Sequence, residues 1–549
     1  MAFEIWNILN YDFIIYMSPG THLSDEPKIL HNICVTCICY GDFFLELHHI
    51  ETKIGSSGNL LCVLKKHLST IREDSLHKTE NTIYATILEM GKKILQEHLD
   101  SLQDTPNDCA YNTQGAQLPF KAESEREYLS IFGPVKIKRA YYWKKGHGEG
   151  LCPLDHQLNL PEGKFSYALQ DMTLKLIASQ PYREALSTID KIFGICLWPE
   201  AIQSMVMRAA AYVHSFYKGI KKFEDTEGSV IAVTMDCKGI PMVPEERSPN
   251  KEPKQKKVRR EKGDKRKGLR RDAVVTSHFT FHPESRTPQE MQKSLMHWHT
   301  DREQAEYADH KKERREAGKL EPREPINKEV HAVMDGKEKA FERLADQILH
   351  RNPAQDKKMI VLIDGASALE NRFKEEITKR KWKHRVDAYI LDIFHATEYL
   401  WESGTALYGE KDQRRQQWVA DKLLAILEGK VGYVVGAMRQ ILKKNKRGLK
   451  ESQKSMLQKV ITYLSNHKHM MKYDEYLKKG YPIGTGVVEG ACGSLVKNRT
   501  DRSGMKWTHE GVQAILNLRA VNQNGDWDKY FEYYIEMERQ RLYRTINAS

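Results

Sequence analysis

No apolar run in the sequence approaches the ~20 residues needed for a bilayer-spanning helix, so a helical membrane protein is not expected. The opening stretch MAFEIWNILNYDFIIYM lacks the basic n-region of a secretory signal. Cysteine is sparse and odd in number, nine in 549 residues. That leaves no disulfide framework and suits a reducing compartment. The tightest group, Cys34, Cys37 and Cys39, has no second ligand pair nearby, whereas a zinc site usually takes four ligands in two sets. There is no convincing internal repeat or low-complexity tract, which argues against a solenoid. The expectation is an intracellular protein with ordinary globular cores.

The length then implies two to four domains. Lys and Arg number 86 against 74 acids, a net charge of +12, which permits nucleic-acid binding without requiring it. The excess is concentrated in places. Residues 251–271 carry 12 Lys or Arg and 3 acids, a composition that reads as a solvated loop. A second basic run, KNRTDRSGMKW, ends at Trp507.

The first 80 residues carry no interpretable pattern. From Thr82 to Leu102 a helix is expected, with Ile83, Ile87, Met90, Ile94 and Leu99 near one face. SIFGPVKIKRAYYW reads as a hairpin with a Gly-Pro turn, followed by alternation at Val135, Ile137 and Arg139. Residues 166–217 read as helices. One ends at Gly194 and Pro199 opens the next, which is helix-turn-helix spacing; an ordinary helical hairpin fits the same shape. Further on, VIAVTMD and MIVLID are apolar strands ending in Asp236 and Asp364, and VDAYILDIFHATEYLW repeats the layout. Residues 400–479 are almost wholly helical. Strand–helix alternation of this kind indicates an α/β sheet with covered faces.

Three acids stand out. Asp236 and Asp364 sit at strand ends, where ligands collect in α/β sheets, and Gly365 beside Asp364 frees the backbone. A cap or turn would use the same residue type. Glu489 lies on an expected helix over 484–498, opposite a stripe of Val487, Val488, Ala491 and Leu495 and beside Gly493 and Lys497. Together the three form a hard-oxygen set suited to a pair of Mg²⁺ ions acting on a phosphodiester. Arg499, Arg502 and Lys506 can pair with phosphates. Trp507 can stack on a base or pack in the core.

These segments resemble prokaryotic insertion-sequence transposases of the DDE type, in the Kra-type group related to the Mutator-like superfamily. DCKGIPM is similar to the family's first-acid motif, LIDGA to its second, and YPIGTGVVEGACGSLVKNRTDRSGMKWT to its third. CPLDHQLNLP and SRTPQEM also resemble family segments, and Asp392-x-x-His395 is similar to a Cys/Asp-x-x-His motif of Mutator-like enzymes. The likeness spans residues 82–530, with Cys237 where the family usually has Gly.

The resemblance implies an RNase H-like α/β catalytic domain with a helical insertion, preceded by a mainly α-helical DNA-binding region. The expected boundaries are an unassigned segment 1–80, the DNA-binding region 81–220 and the catalytic domain 228–395. The insertion 396–479, the last catalytic part 480–522 and a C-terminal helix 523–549 follow. Asp236, Asp364 and Glu489 would hold two Mg²⁺ or Mn²⁺ ions. Lys497, Arg499, Arg502, Lys506, Trp507 and His395 would contact DNA, with Asp392, Gly365 and Gly493 in support. For His395, orienting the site and a helix-start histidine packed on the sheet are the alternatives to a DNA contact. The implied partners are double-stranded DNA, at terminal inverted repeats and target, and a second copy of the chain. The implied location is the cytoplasm of a prokaryote, on the nucleoid when DNA-bound. A metal-dependent nuclease without strand transfer, a catalytically decayed DNA-binding protein and an RNA-binding protein remain alternatives.

Overall fold

Apolar β-branched runs in the sequence become two sheets in the computed structural model. It describes residues 75–102, 107–111, 115–146, 150–219, 227–244, 270–296, 325–444 and 448–543. Cys34, Cys37 and Cys39, with the rest of the first 74 residues, most of the basic loop 251–271 and the charged run 301–324 lie outside the described residues. The chain divides into two units, Met1–Met90 and Gly91–Ser549. Of the first, only the start of helix α1 (Leu76–Ser101) is described.

The second half of α1 buries a different stripe from the one its isoleucines suggest. Ile94 is 51% exposed, while Leu95, Leu99 and Leu102 pack with Val135 and Ile137. Those leucines follow the i, i+4, i+7 spacing of a helical face, and the partner sheet selects them. That sheet joins β1 (Cys109–Tyr111), β2 (Gln117–Ser130) and β3 (Gly133–Tyr142) in order, all antiparallel. The β2–β3 turn falls at Ile131–Phe132 rather than at Gly133-Pro134, because those two residues already pair with Ser130 and Leu129. Next, α2 (Pro153–Gln157) carries Asp155, which receives Arg126 at 3.1 Å and also Arg139.

Four helices follow: α3 (Tyr167–Ser179), α4 (Tyr182–Phe193), α5 (Pro199–Ala211) and α6 (Val213–Gly219). Gly194 caps α4 in the left-handed conformation (φ +64°), and Pro199 starts α5 as expected. The link runs from Gly194 to Trp198. These helices do not form a core of their own. Ile177, Ile189, Ile202, Val206 and Phe216 share one hydrophobic cluster with Val275 and Ala332 of the main sheet and with Ile515 and Tyr530 near the C-terminus. No core boundary therefore separates 167–219 from the main sheet at the expected position near 220.

The main sheet comprises β4 (Val230–Pro241), β5 (Arg270–Phe281), β6 (Ile326–Val333), β7 (Lys358–Ile363) and β8 (Val386–Leu391), with α7 (Pro288–Met296), α8 (Lys337–Arg351) and α9 (Ser367–Lys379) between strands. Strand order is β6-β5-β4-β7-β8; β4, β5 and β6 run antiparallel, and β7 and β8 run parallel to β4. Its inner strands are apolar on both sides, as a doubly covered sheet requires. Ile231, Val233, Met359, Val361 and Ile363 meet Phe341 and Leu344 of α8 and Phe373 of α9. Ala232, Ile360 and Leu362 meet the opposite layer. That layer is the helical insertion, α10 (Ile393–Tyr408), α11 (Gln413–Leu427), α12 (Val431–Lys444), α13 (Glu451–His467) and α14 (Tyr473–Lys478), in the expected place.

The SRTPQEM stretch caps α7: Thr287 N donates to Glu290 Oε2 at 2.7 Å and Glu290 N donates to Thr287 Oγ1 at 3.2 Å, a capping-box arrangement. Arg286 donates to the Tyr481 carbonyl at 2.7 Å, tying α7 to the glycine-rich approach to Glu489. The chain closes with α15 (Gly486–Ala491), a π-helical turn over Cys492–Lys497, a short turn Asn498–Thr500, α16 (His509–Gln523) and α17 (Trp527–Tyr543). The continuous helix expected over 484–498 is thus broken by the π turn. The whole is a mixed α/β protein. Among the described residues no helix is long and apolar enough to cross a membrane.

Candidate active site

Strand register gathers the acids. Parallel pairing of β4 with β7 ends at Met235↔Ile363, and pairing of β7 with β8 ends at Ile363↔Leu391. Asp236, Asp364 and Asp392 are each the next residue along, so they stand in a row across three neighbouring strands about 4.8 Å apart. Side chains alternate along a strand. Ala232 and Ile360 face the insertion layer, so Asp236 and Asp364, four residues on, face it too. Cys237 points the other way and packs with the α8–α9 layer. Asp236 does not end its strand, as the sequence suggests: β4 continues beside β5 to Pro241.

Asp364 Oδ1 accepts from Ala366 N at 2.8 Å, so part of its bonding is the local turn that any Asp here might make. The rest is not. Burial raises its pKa and the nearby Asp236 charge raises it further, against the Ala366 bond and His395. The loop behind it is held by the insertion. Tyr463 Oη donates to the Asp364 carbonyl at 3.0 Å, and His467 Nε2 lies 3.0 Å from the Gly365 carbonyl. Gly365 has φ +96°, and a Cβ there would come within 3.1 Å of Leu391 and of Tyr463 Oη, so glycine is required on both counts.

Asp392 is wholly buried and caps α10, accepting from Phe394 N at 3.2 Å, Thr485 N at 3.1 Å and His395 Nδ1 at 2.8 Å. Burial alone would raise its pKa, but these bonds hold it below the usual value. The same bond to Asp392 is the largest influence on His395, whose pKa is raised to about 9. His395 thus stands between the carboxylates of Asp392 and Glu489, where it can orient the site. Asp392 is an anchor for it.

Glu489 arrives on α15. Its Oε1 accepts from Thr485 Oγ1 at 3.0 Å and lies 3.6 Å from His395 Nδ1. Burial raises its pKa, with the Asp392 charge adding to the effect and Thr485 opposing it. Among the described residues, the group whose ligand atoms converge within 4.8 Å is Asp392, His395 and Glu489. Asp236, Asp364 and Glu489 do not converge that tightly. The sequence marks the Asp392–His395 pair and Glu489 separately but not their meeting, although Asp392-x-x-His395 and Thr485…Glu489 have the i, i+3 and i, i+4 spacings that bring helical side chains together. Just beyond Glu489, Cys492 Sγ donates to Asp236 Oδ2 at 3.1 Å. It joins the Glu489 segment to the first strand acid, and burial, followed by that carboxylate, pushes its thiol pKa well up. Cys492 opens the π turn, a feature common at functional sites. A Cβ on Gly490 or Gly493 would meet nothing within 4 Å, so the surface beside Glu489 is open.

The basic run divides in two. Lys497, Arg502 and Lys506 are exposed. Arg499 and Trp507 are not available to a nucleic acid, being 1% and 8% exposed. Arg499 Nε donates to the Ile177 carbonyl at 3.2 Å, and its guanidinium lies 4.9 Å from the Trp507 ring centroid; burial lowers its pKa to about 10. Trp507 Nε1 donates to the Thr500 carbonyl at 3.2 Å, and its backbone pairs with Met242 just past β4. This corrects their expected role: both fix the loop in place. Arg270, at the end of the basic loop, pairs with Asp501 at 2.7 Å.

No protein-family model matches the chain, and no curated protein matches it significantly.

Proposed function

We propose that the protein is a DNA transposase of the DDE type, which binds the terminal inverted repeats of an insertion sequence and carries out metal-dependent strand cleavage and 3′-OH strand transfer. The observation that carries this reading is the register that sets Asp236 and Asp364 side by side on one sheet face, linked through Cys492 to the segment bearing Glu489. A mixed sheet of three antiparallel strands continued by two parallel ones, with a helical insertion before Glu489, supports an RNase H-like catalytic domain.

The donor set fits hard divalent cations. Asp236, Asp364 and Glu489 offer carboxylate oxygens, which suit Mg²⁺ or Mn²⁺. Asp364 and Glu489 have raised pKa values, from burial first and then from a neighbouring carboxylate, Asp236 and Asp392 respectively. In this scheme Asp236, Asp364 and Glu489 would hold the ions. When bound, the ions supply an activated water or 3′-OH and stabilise the leaving oxygen. The protein's own part is placement. Strand register fixes Asp236 and Asp364, Tyr463 and His467 brace the backbone at Asp364–Gly365, and His395 with Thr485 orients Glu489. Lys497, Arg502 and Lys506 pair with DNA phosphates, and the α4–α5 pair reads the repeat. Two ends must meet, so the working species is at least a dimer on DNA.

The test uses purified protein, Mg²⁺ and DNA carrying the element's ends. Wild type cleaves at the ends and joins pre-cut ends to a target, while Asp364→Asn and Glu489→Gln do neither. Wild-type-like cleavage by both variants refutes the assignment. Cleavage without joining identifies a nuclease, and repeat binding with no product identifies a decayed enzyme.

A further inference from the structure

Away from the acids, α6, α8 and Pro353 just after it line an open cavity of about 480 Å³, within the size range of small-molecule sites. Its mouth is cationic. Lys218 is exposed, with no acidic partner among the described residues. Arg343 stands 3.6 Å from Asp335, beyond good hydrogen-bond reach. The acid of the lining, Asp346, is engaged by Arg380 at 2.6 Å. Leu349, Pro353 and Tyr217 supply an apolar wall.

Four of the lining residues, His214, Tyr217, Arg343 and Gln347, also border a narrow slot of about 30 Å³ that runs inward to His331. Two buried polar atoms there lack hydrogen-bond partners: Gln347 Oε1 and His331 Nε2. The nearest acid to that nitrogen, Glu329, is 3.6 Å away. Unsatisfied buried polar atoms are costly and uncommon. At the mouth, burial lowers the His214 pKa, and the charges of Arg343 and Lys218 lower it further, which marks a locally positive field. Cations outside, an apolar wall between and unpaired hydrogen-bonding atoms within match the parts of a nucleotide: phosphate, flat ring, and polar ring edge.

We propose that this cavity binds a mononucleotide-sized phosphorylated ligand, with its phosphate between Lys218 and Arg343 and its ring edge toward Gln347 and His331. The slot, at about 30 Å³, does not admit a base, so the ring lies in the outer cavity and only its polar edge faces inward. The proposal does not rest on the transposase reading, and its test needs neither metal nor DNA.

Isothermal titration of the full-length chain with AMP at fixed salt is expected to show saturable one-site binding. Lys218→Ala and Arg343→Ala should each weaken AMP about tenfold, the loss of one charge-assisted contact. Gln347→Leu should weaken AMP yet leave inorganic phosphate unchanged, and should not lower the melting temperature, since it removes an unpaired acceptor. Lys218 is exposed, so its variant reports binding without a folding defect. The proposal fails if AMP gives no saturable signal up to ~5 mM, if Lys218→Ala binds AMP as wild type does, or if the positive cavity responds only to duplex DNA.

Discussion

Two regions of the molecule bring charge out of water, and they do so on opposite terms. In the C-terminal core, Glu538 is 1% exposed and accepts from Tyr212 Oη at 2.7 Å and from Arg541 Nε at 2.9 Å. Burial alone would raise its pKa, yet these partners hold it below the ordinary glutamate value. Arg519 and Arg499 are likewise spent on carbonyls of α3 and of the segment after Glu489. At the candidate site the balance is reversed: Asp364 and Glu489 are pushed up by burial and by neighbouring carboxylates. Charges kept for architecture come with partners, whereas charges left short of them are candidates for work on something the protein does not itself supply.

The sharpest way to break this contrast is Asp364→Asn. The amide oxygen can keep the bond from Ala366 N, and the repulsion with Asp236 disappears. Cleavage should fall at least ~1000-fold, equivalent to about 4 kcal/mol of transition-state stabilisation, while the melting temperature stays equal to or above wild type. A variant that loses stability and activity together would make Asp364 an architectural residue like Glu538. Arg499→Met should do the reverse. It removes a bond to the Ile177 carbonyl and the contact with Trp507 and should cost about 2–3 kcal/mol in chemical denaturation. Arg502→Ala, at an exposed site, should leave stability alone and lower the salt dependence of DNA binding by about one phosphate contact. If Arg499→Met instead weakens DNA binding at full stability, the division of the basic run fails.

Much of this arrangement was legible in the residues. β-Branched runs closing on Asp236 and Asp364 mark the strands, Gly194 and Pro199 punctuate α4 and α5, and the helical insertion shows in the pattern of residues 400–479. What stayed hidden depends on partners far off in the chain. Nothing local distinguishes Arg499 from Arg502, because its burial is decided by Ile177 and Tyr182. The α1 isoleucines make as good a stripe as the leucines that the hairpin selects. The π turn after Glu489 has no sequence signature, and the approach of Glu489 to His395 follows from where α15 meets α10. The merging of 167–219 with the core of the main sheet is likewise a packing outcome, since amphipathic helices do not announce which core they join.

Acid sharpens the comparison from the architectural side. With its pKa depressed in the folded state, Glu538 contributes stability that is present above the ordinary value of 4.5 and is lost as pH falls through the lowered one. Arg541 is 41% exposed, so the contribution is screened to about 1 kcal/mol. Glu538→Gln should therefore be less stable than wild type at pH 7, and the gap should close toward pH 3 in thermal melts. Asp364, raised rather than lowered, predicts the opposite sign for Asp364→Asn. Equal pH profiles for the two variants would erase the distinction.

The smallest effect probes how the two regimes meet. Tyr463 belongs to the well-partnered insertion, stacking on Tyr399 with ring centroids 4.2 Å apart, yet its hydroxyl reaches the Asp364 carbonyl. Tyr463→Phe keeps the ring, the stack and the burial and deletes one bond, worth about 0.5–1.5 kcal/mol. If that bond is only architectural, stability drops by this amount and the cleavage rate of the folded protein is unchanged. If it positions the acid, the rate falls about 3–10-fold and the divalent-cation concentration for half-maximal rate rises, because the carboxylate is less well placed to bind. The second outcome is expected, since Tyr463 and His467 grip adjacent carbonyls, those of Asp364 and Gly365, at the one point where φ +96° leaves the backbone dependent on its surroundings. A wild-type metal titration in Tyr463→Phe would assign the grip to folding alone.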